Sequence, residues 1–385
     1  MGTEAWGPKH GDRSMKTKTL GIVLGIAALS TVGAYFALSR GTKTADFEPG
    51  APFLPDLSAK AGSIDRIELE RGATKIELVR DGVLWRLGSS DGYPARFEEI
   101  KGLVSGVSSL KTDQKMTAQK DRQTELALAW PDGGGRAARA RLLAGNETVA
   151  DIILGEERAN PRAQFVRREA EDQCWRVLGS VLVEIEPRRW VDAELLAIPE
   201  GEVRAVFVNG LHISSTESPE GKISYQVVEN SPLVMATDYE WTASRSAVAQ
   251  RTLPSWLSRL ELDDVRKAKV GGVAGGAIDP ALSPEFDMVR GTLKINAVRD
   301  GDAVWISFDA KAKDGAPSAA EINAKKKYPG DPYVPDWKDF AAKHAGWQYK
   351  LPLWKLNSLE EASKTPIATE KPTDPTAPTV VPSPG

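Results

Sequence analysis

Between Thr19 and Leu38 the chain reads TLGIVLGIAALSTVGAYFAL, without one charged side chain. A helix rises about 1.5 Å per residue, so a run of about 20 residues matches a hydrocarbon core about 30 Å thick. No other stretch is as long and as apolar. The sequence therefore predicts one transmembrane helix over 19–38 carrying a single large polar body. Lys9, Arg13, Lys16 and Lys18 precede the run, whereas Arg40 and Lys43 behind it are diluted by Asp46 and Glu48. That asymmetry orients the N-terminus toward the cytoplasm and the body outside. The competing reading is a cleaved signal peptide with Ala37-Leu38-Ser39 at the cleavage site. The apolar run exceeds the ~7–15 residues of a signal core, which favours a retained anchor. Met15-Lys16 is a natural start for such a segment, and residues 1–18 read as a cytoplasmic leader.

The net charge is -3, and no basic stripe with interleaved aromatics occurs. Nucleic acid is therefore not an expected partner. Cys174 is the single cysteine. It excludes an intramolecular disulfide and a cysteine-based zinc site. A body of this length buries enough surface to stand without such staples.

Residues 39–62 carry three prolines and little periodicity, and read as a linker. Residues 363–385 are rich in proline and threonine and lack aromatics, so they read as a disordered tail. The body between them divides into a first half, 63–199, and a second, 200–362. The first opens with strands at Ile64–Leu69, Lys75–Val79 and Val83–Leu87, the last two joined at Asp81-Gly82, a hairpin signal. Phe97, Ile100, Leu103, Val104, Val107 and Leu110 then fall at helical spacing, predicting a helix over about 95–111. Strands return at Ala138–Leu143 and Val149–Leu154 across Gly145-Asn146, then at Gln164–Arg168 and Cys174–Leu178. A helix or turn carrying Val181, Val183 and Ile185 follows. The second half repeats the opening with strands at Val203–Val208, His212–Ser215 and Ile223–Val228. A helix is expected over Trp241–Leu262, kinked or restarted at Pro254. A hairpin over Arg299–Asp302, a helix at about 336–345, a strand with Trp347, Tyr349 and Leu351 on one face, and a helix from Leu353 to about Ala362 complete it. The predicted class is α+β: an N-terminal transmembrane helix, then antiparallel hairpin-built sheets backed by helices in two related halves.

Four local patterns carry a family resemblance. They are Ser63-Ile64-Asp65-Arg66-Ile67 leading to Trp85; Leu126-Ala127-Leu128-Ala129-Trp130-Pro131; Trp190-Val191-Asp192-Ala193-Glu194-Leu195-Leu196; and Gly346-Trp347-Gln348-Tyr349-Lys350-Leu351-Pro352. Their order resembles a bacterial family known as domain of unknown function 4340 (DUF4340). The chain departs from the family pattern at Ala127 and Ala129, where glycine and aspartate are more usual. Members are often encoded beside export-type ABC permeases and gliding-motility-type auxiliary subunits. The resemblance thus implies, by association, an accessory role in a membrane complex, and the apolar run with its flanking charges predicts a single-pass protein of the bacterial inner membrane with its body periplasmic. It supplies no catalytic residue.

Residue chemistry points the same way. Gly88-Ser89-Ser90-Asp91-Gly92 satisfies a nucleophile-elbow pattern around Ser90, but Asp91-Gly92-Tyr93-Pro94 interrupts the sharp strand-to-helix turn that the pattern needs. His10, His212 and His344 are the only histidines, and none has a metal-ligand spacing. His212 reads as a half-buried sheet residue, and His344 as a cation at a helix C-terminus, favoured by the dipole. Glu98-Glu99, Glu156-Glu157 and Asp263-Asp264 are sequence neighbours, which do not face each other, so they read as solvated faces. The glycines at 271–276 lack dinucleotide-loop spacing and read as a link. Trp85, Trp175, Trp305 and Trp347 lie on alternating strands and read as sheet filling, with a binding groove for glycan or an extended peptide as the alternative. No catalytic, cofactor-binding or metal-ligating residue is assigned, and no cofactor. The expected function is a non-catalytic, membrane-anchored accessory subunit of an envelope ABC-type transport complex, partnered by a permease or auxiliary membrane subunit. The alternatives are a periplasmic glycan- or peptide-binding module and, more remotely, a serine hydrolase at Ser90.

Overall fold

A computed structural model describes residues 48–131, 136–228, 241–268, 277–315, 318–324 and 335–363. The predicted membrane helix over 19–38, His10, the link at 271–276 and the tail from 364 lie outside the described residues. No described helix is long and apolar enough to cross a membrane. Met1–Pro49 and Gly50–Gly385 are separate units, and the second holds two antiparallel sheets.

Chain order gives β1 (Arg66–Arg71), β2 (Thr74–Asp81), β3 (Leu84–Leu87), β4 (Tyr93–Pro94), helix α1 (Phe97–Ser108), β5 (Lys111–Lys115), β6 (Ala138–Ala144), β7 (Glu147–Arg158), β8 (Ala163–Arg168) and β9 (Cys174–Leu178). These strands form a nine-stranded sheet, β4-β3-β2-β1-β6-β7-β8-β9-β5. After β10 (Glu194–Leu196) come β11 (Val203–Val208), β12 (Leu211–Glu217), β13 (Ile223–Val227), helix α2 (Trp241–Thr252), β14 (Leu260–Glu261), β15 (Asp264–Lys267), β16 (Glu285–Met288), β17 (Gly291–Asp300) and β18 (Ala303–Ala312). Helix α3 (Trp337–His344), β19 (Trp347–Lys350) and helix α4 (Leu353–Ser363) end the body. The second sheet has eight strands, β13-β12-β11-β16-β17-β18-β19-β15, and β10 pairs with β14 apart from both.

The two sheets share one plan. A meander of four strands in the first sheet and three in the second opens outward, a helix follows, one strand goes to the far edge, and a four-strand meander fills the space between. Thus β1 pairs with β6 as β11 does with β16, and β9 pairs with β5 as β19 does with β15. The turns are those the strand twist favours: Asn209 and Gly210, with φ of 47° and 81°, close β11–β12 in the type I′ geometry that needs two positive φ values. The expected α+β class, with antiparallel sheets and helices, is what the chain adopts.

Helix α1 lays Ile100, Leu103 and Val107 into a core that both sheets share, while Phe97 at its start stays 56% exposed. The first sheet is also covered on its other face. There Leu128, Ile153, Phe165 and Cys174 cluster beneath Met116, Leu126 and Trp130. Gly155 on β7 makes that cover possible, because a Cβ there would lie 2.3 Å from the Leu126 carbonyl oxygen. The covering segment turns through Ala127, at φ 54°, in the left-handed region that favours glycine.

Several expectations are corrected. Residues 50–62, read as linker, are part of the body. Gly50 N–H donates to Thr112 O at 2.6 Å, Thr112 N–H returns to Ala51 O at 2.8 Å, and Phe53 and Leu57 are buried. Strand β5 was not anticipated, because Lys-Thr-Asp-Gln-Lys offers no apolar residue to alternate; it is an edge held by pairing to β9 and to Pro52. Residues 179–186, expected as a helix or turn, are neither helical nor paired in a sheet, with Val181 and Val183 buried and Leu182 exposed. The helix from Trp241 stops at Thr252, and Leu260–Glu261 is a strand instead. Pro254 prevents continuation, since it lacks the N–H and disfavours helix in the residue before it.

Two substitutions test the packing in opposite senses, read by chemical unfolding monitored by tryptophan fluorescence. Phe53→Ala is expected to cost about 3–5 kcal/mol, as for a buried aromatic; a stalk residue would cost nothing measurable. Ala127→Gly is expected to stabilise by about 0.5–1 kcal/mol, because relief of left-handed strain exceeds the added chain entropy.

Candidate functional site

Ser90 ends a single 3-10 turn, Gly88–Ser90, and is 4% exposed. Its hydroxyl donates to Asp264 Oδ1 at 3.3 Å on β15, and the next residue, Asp91, accepts from Lys267 N–H at 2.9 Å. The loop that resembled a nucleophile elbow is a clasp between the sheets. Asp263 and Asp264 are accordingly not a solvated face: Asp263 accepts from Arg188 at 3.0 Å, and Asp264 takes Ser90. Glu98, Glu99 and Glu156 do form ordinary surface pairs, with Lys101, Arg96 and Arg158.

His344 ends α3 as expected, but it is not a capping cation. It is 3% exposed, ringed by Phe308, Phe340 and Tyr349, and its Nδ1 lies 2.7 Å from the Tyr349 hydroxyl. Burial, assisted by the neighbouring Lys343 charge, brings its pKa down to about 4, so the ring is neutral. Tyr349 is itself fully buried and hydrogen-bonds Tyr93 of the first sheet, and burial pushes both phenols above their ordinary range. His212 is half-buried on β12 and stacks on Phe207 at 4.2 Å.

The strand tryptophans are occupied as well. Trp85 and Trp175 are buried. The Arg266 guanidinium sits 4.0 Å above Trp305, and Tyr93 meets Trp347 edge-on at 4.9 Å. Lys355 is buried with its ammonium 5.3 Å from Trp256 and 5.6 Å from Trp354, and burial brings its pKa down to about 8. Cys174 is fully buried, and desolvation pushes its thiol up to about 11, so it is inert. Among the described residues no group of three or more His, Cys, Asp or Glu is placed to hold a metal ion.

A half-open cleft of about 260 Å³ lies at the end of the first sheet where β1, β6, β7 and β8 meet residues 181–183. Arg71 and Arg136 line it beside Glu157, over a floor that includes Leu154 and Val181. Gln164 fixes the strap: its amide donates to Gly155 O and Val181 O, and its oxygen accepts from Val181 N–H at 3.0 Å. Sequence reading gave no hint of this site. Arg71 and Arg136 belong to no motif, and only the β1–β6 pairing brings them together.

Residues 85–275 match the family model of a domain of unknown function, DUF4340. Over that span the chain belongs to the DUF4340 family. No curated protein matches the chain. A crystal structure described as a "putative outer membrane protein" from Bacteroides fragilis NCTC 9343 aligns with 65% of this chain and 91% of that one, at 8% identity and a TM-score of 0.10. A likeness that slight carries no argument.

The DUF4340 match contains two of the four patterns whole, and Trp85 from a third. Ala127, where the family more usually has glycine, is the left-handed residue described above, which gives that preference a backbone reason. Trp190 is buried and its indole N–H donates to Glu184 O at 3.0 Å. The pattern beginning at Trp190 therefore marks packing of the core, with Val191, Leu195 and Leu196 also buried.

The buried histidine sets a pH dependence. Its pKa is about 4 in the folded chain against an ordinary 6.5. Between these values the unfolded chain binds the extra proton, so stability falls as pH drops from 6.5 toward 4, by on the order of 3 kcal/mol. His344→Gln is expected to remove that component. Unfolding free energies of both chains at pH 7 and pH 4.5 check it; parallel losses would show that His344 is not held neutral.

Proposed function

We propose that this DUF4340 chain is a non-catalytic accessory subunit of an envelope ABC-type transport complex, anchored in the bacterial inner membrane by residues 19–38 with its body periplasmic. The observation that carries the reading is that, among the described residues, Ser90, Cys174 and His344 are engaged in holding the body together. Ser90 is bound to Asp264, His344 to Tyr349, and the Cys174 thiol is buried. A fold so committed suits presentation of a surface rather than turnover of a substrate.

The tether supports the same reading. Eleven residues, 39–49, separate the apolar run from Gly50, where the body begins. Fully extended they reach about 40 Å at most. A body on so short a lead works at a membrane surface, where a permease is within range. The strand tryptophans, buried or packed against neighbouring side chains, count against a glycan groove on the sheets, and Trp354, 66% exposed on α4, is the open aromatic face left to that alternative.

Orientation and partner are tested separately. Ser383→Cys in a Cys174→Ala background is expected to react with a membrane-impermeant maleimide in intact cells; labelling only after lysis would reverse the orientation. Detergent-solubilised full-length chain is expected to co-purify with an ABC-type permease. Retention on peptidoglycan without a permease would replace this reading with the glycan-binding one. Reaction of an active-site serine probe with the parent chain, lost in Ser90→Ala, would restore the hydrolase.

A further inference from the structure

The arginines of the first sheet are mostly matched to carboxylates. Arg139 holds Asp151 through two bonds of 2.8 and 2.7 Å, Arg141 lies 3.5 Å from Glu68, and Arg176 bonds Asp113. Arg71 and Arg136 break the rule. Both line the cleft at the end of the sheet, and among the described residues neither bonds a carboxylate. Arg71 is half-buried, and its Nε is buried without a hydrogen-bond partner. A buried donor left unpaired costs roughly 1–3 kcal/mol. A guanidinium that lines a cleft without a carboxylate on it has its remaining N–H donors free for an acceptor from outside.

The surroundings define that acceptor. Two guanidiniums suit a planar anion, which they can hold through paired N–H donors. Glu157, exposed on the same cleft, subtracts one charge. The two cations and one anion leave a single positive charge, which neutralises a monoanion and leaves a phosphate dianion with one charge uncompensated. The floor is apolar at Leu154 and Val181, and Leu182 stands 59% exposed at the rim. Gln164 does not compete for the ligand, because both ends of its amide are engaged with the backbone of Gly155 and Val181. The volume, about 260 Å³, is just below the ~300–1,000 Å³ of drug-sized sites. It suits a small occupant.

We propose that this cleft binds a small monocarboxylate with a short apolar tail. Arg71 and Arg136 take the carboxylate, and the tail lies between Leu154, Val181 and Leu182. The site does not depend on the accessory-subunit reading, and either can fail without the other.

Hexanoate is the probe, titrated calorimetrically into the purified full-length chain in nanodiscs. Saturable binding at one site per chain is expected. Arg71→Gln and Arg136→Gln should each weaken it about tenfold or more, and Arg71→Lys should recover only part of the loss, because a lysine keeps the charge but not the planar fork. Leu182→Ala should weaken hexanoate and leave acetate unchanged. Hexanol, without the charge, and inorganic phosphate should bind at least tenfold more weakly than hexanoate. Melting temperatures confirm that each variant is folded; if Arg71→Gln does not fold, the exposed Arg136→Gln decides the question alone. Heat that never saturates, as for partition into lipid, overturns the proposal. So does hexanoate binding unchanged in a folded arginine variant, or a preference for phosphate.

Discussion

The Tyr349 hydroxyl sits where the two sheets meet, in full burial, between His344 Nδ1 and Tyr93. A phenol in such a place must find a partner, since burying an unpaired hydroxyl is unfavourable by more than most single contacts return. The partners come from α3 on one side and from β4 of the first sheet on the other. Around this point Trp347 packs on Tyr93, Ser90 bonds Asp264, and Arg188 spans Glu261 and Asp263. The β3–β4 loop and Tyr93 are bound to β15 and β19, and the two sheets share one core rather than stacking as independent domains. This is also why the chain's scarce reactive side chains are occupied. Ser90 and His344 lie at a junction that must be polar enough to fix orientation and closed enough to exclude water, and Cys174 lies under the separate cover of the first sheet.

The two sheets repeat one strand order, yet they are not interchangeable. After β9 the chain runs through the strap at 179–186, pinned by Gln164 to the end of β8. After β19 it enters α4 within two residues. The cleft exists only where the strap does. Its floor comes from β7 and the strap, and its charges come from β1 and from the residue two before β6. A repeated plan thus supplies the frame, and a local departure from it supplies the cleft.

Much of the frame was legible. Alternation at Arg66–Arg71 and Thr74–Asp81, the helical spacing from Ile100 to Val107 and the Gly145-Asn146 turn each depend on residues within a few positions of one another. Other features were not. Strand β5 has no alternation to read. The three prolines near Phe53 looked like a linker, although Phe53 and Leu57 are core residues. His344 was placed correctly on its helix but assigned the wrong charge state, because its ring is desolvated by Phe308 and Phe340, which lie in β18 and α3. Arg71 and Arg136 carried no signal at all.

By itself the sequence determined the apolar run, the local strands, turns and helices, and the absence of a metal-binding or dinucleotide motif. These follow from the side-chain period, from backbone preference and from composition, all properties of short windows. Tertiary structure alone decided which strands pair across long separations, that residues 50–62 belong to the body, which polar groups lose their water, and which two arginines share a cleft. Those outcomes depend on what is brought near from elsewhere in the chain. The free energy of a buried charge or hydroxyl is set by its neighbours in space, and spacing along a sequence does not encode them.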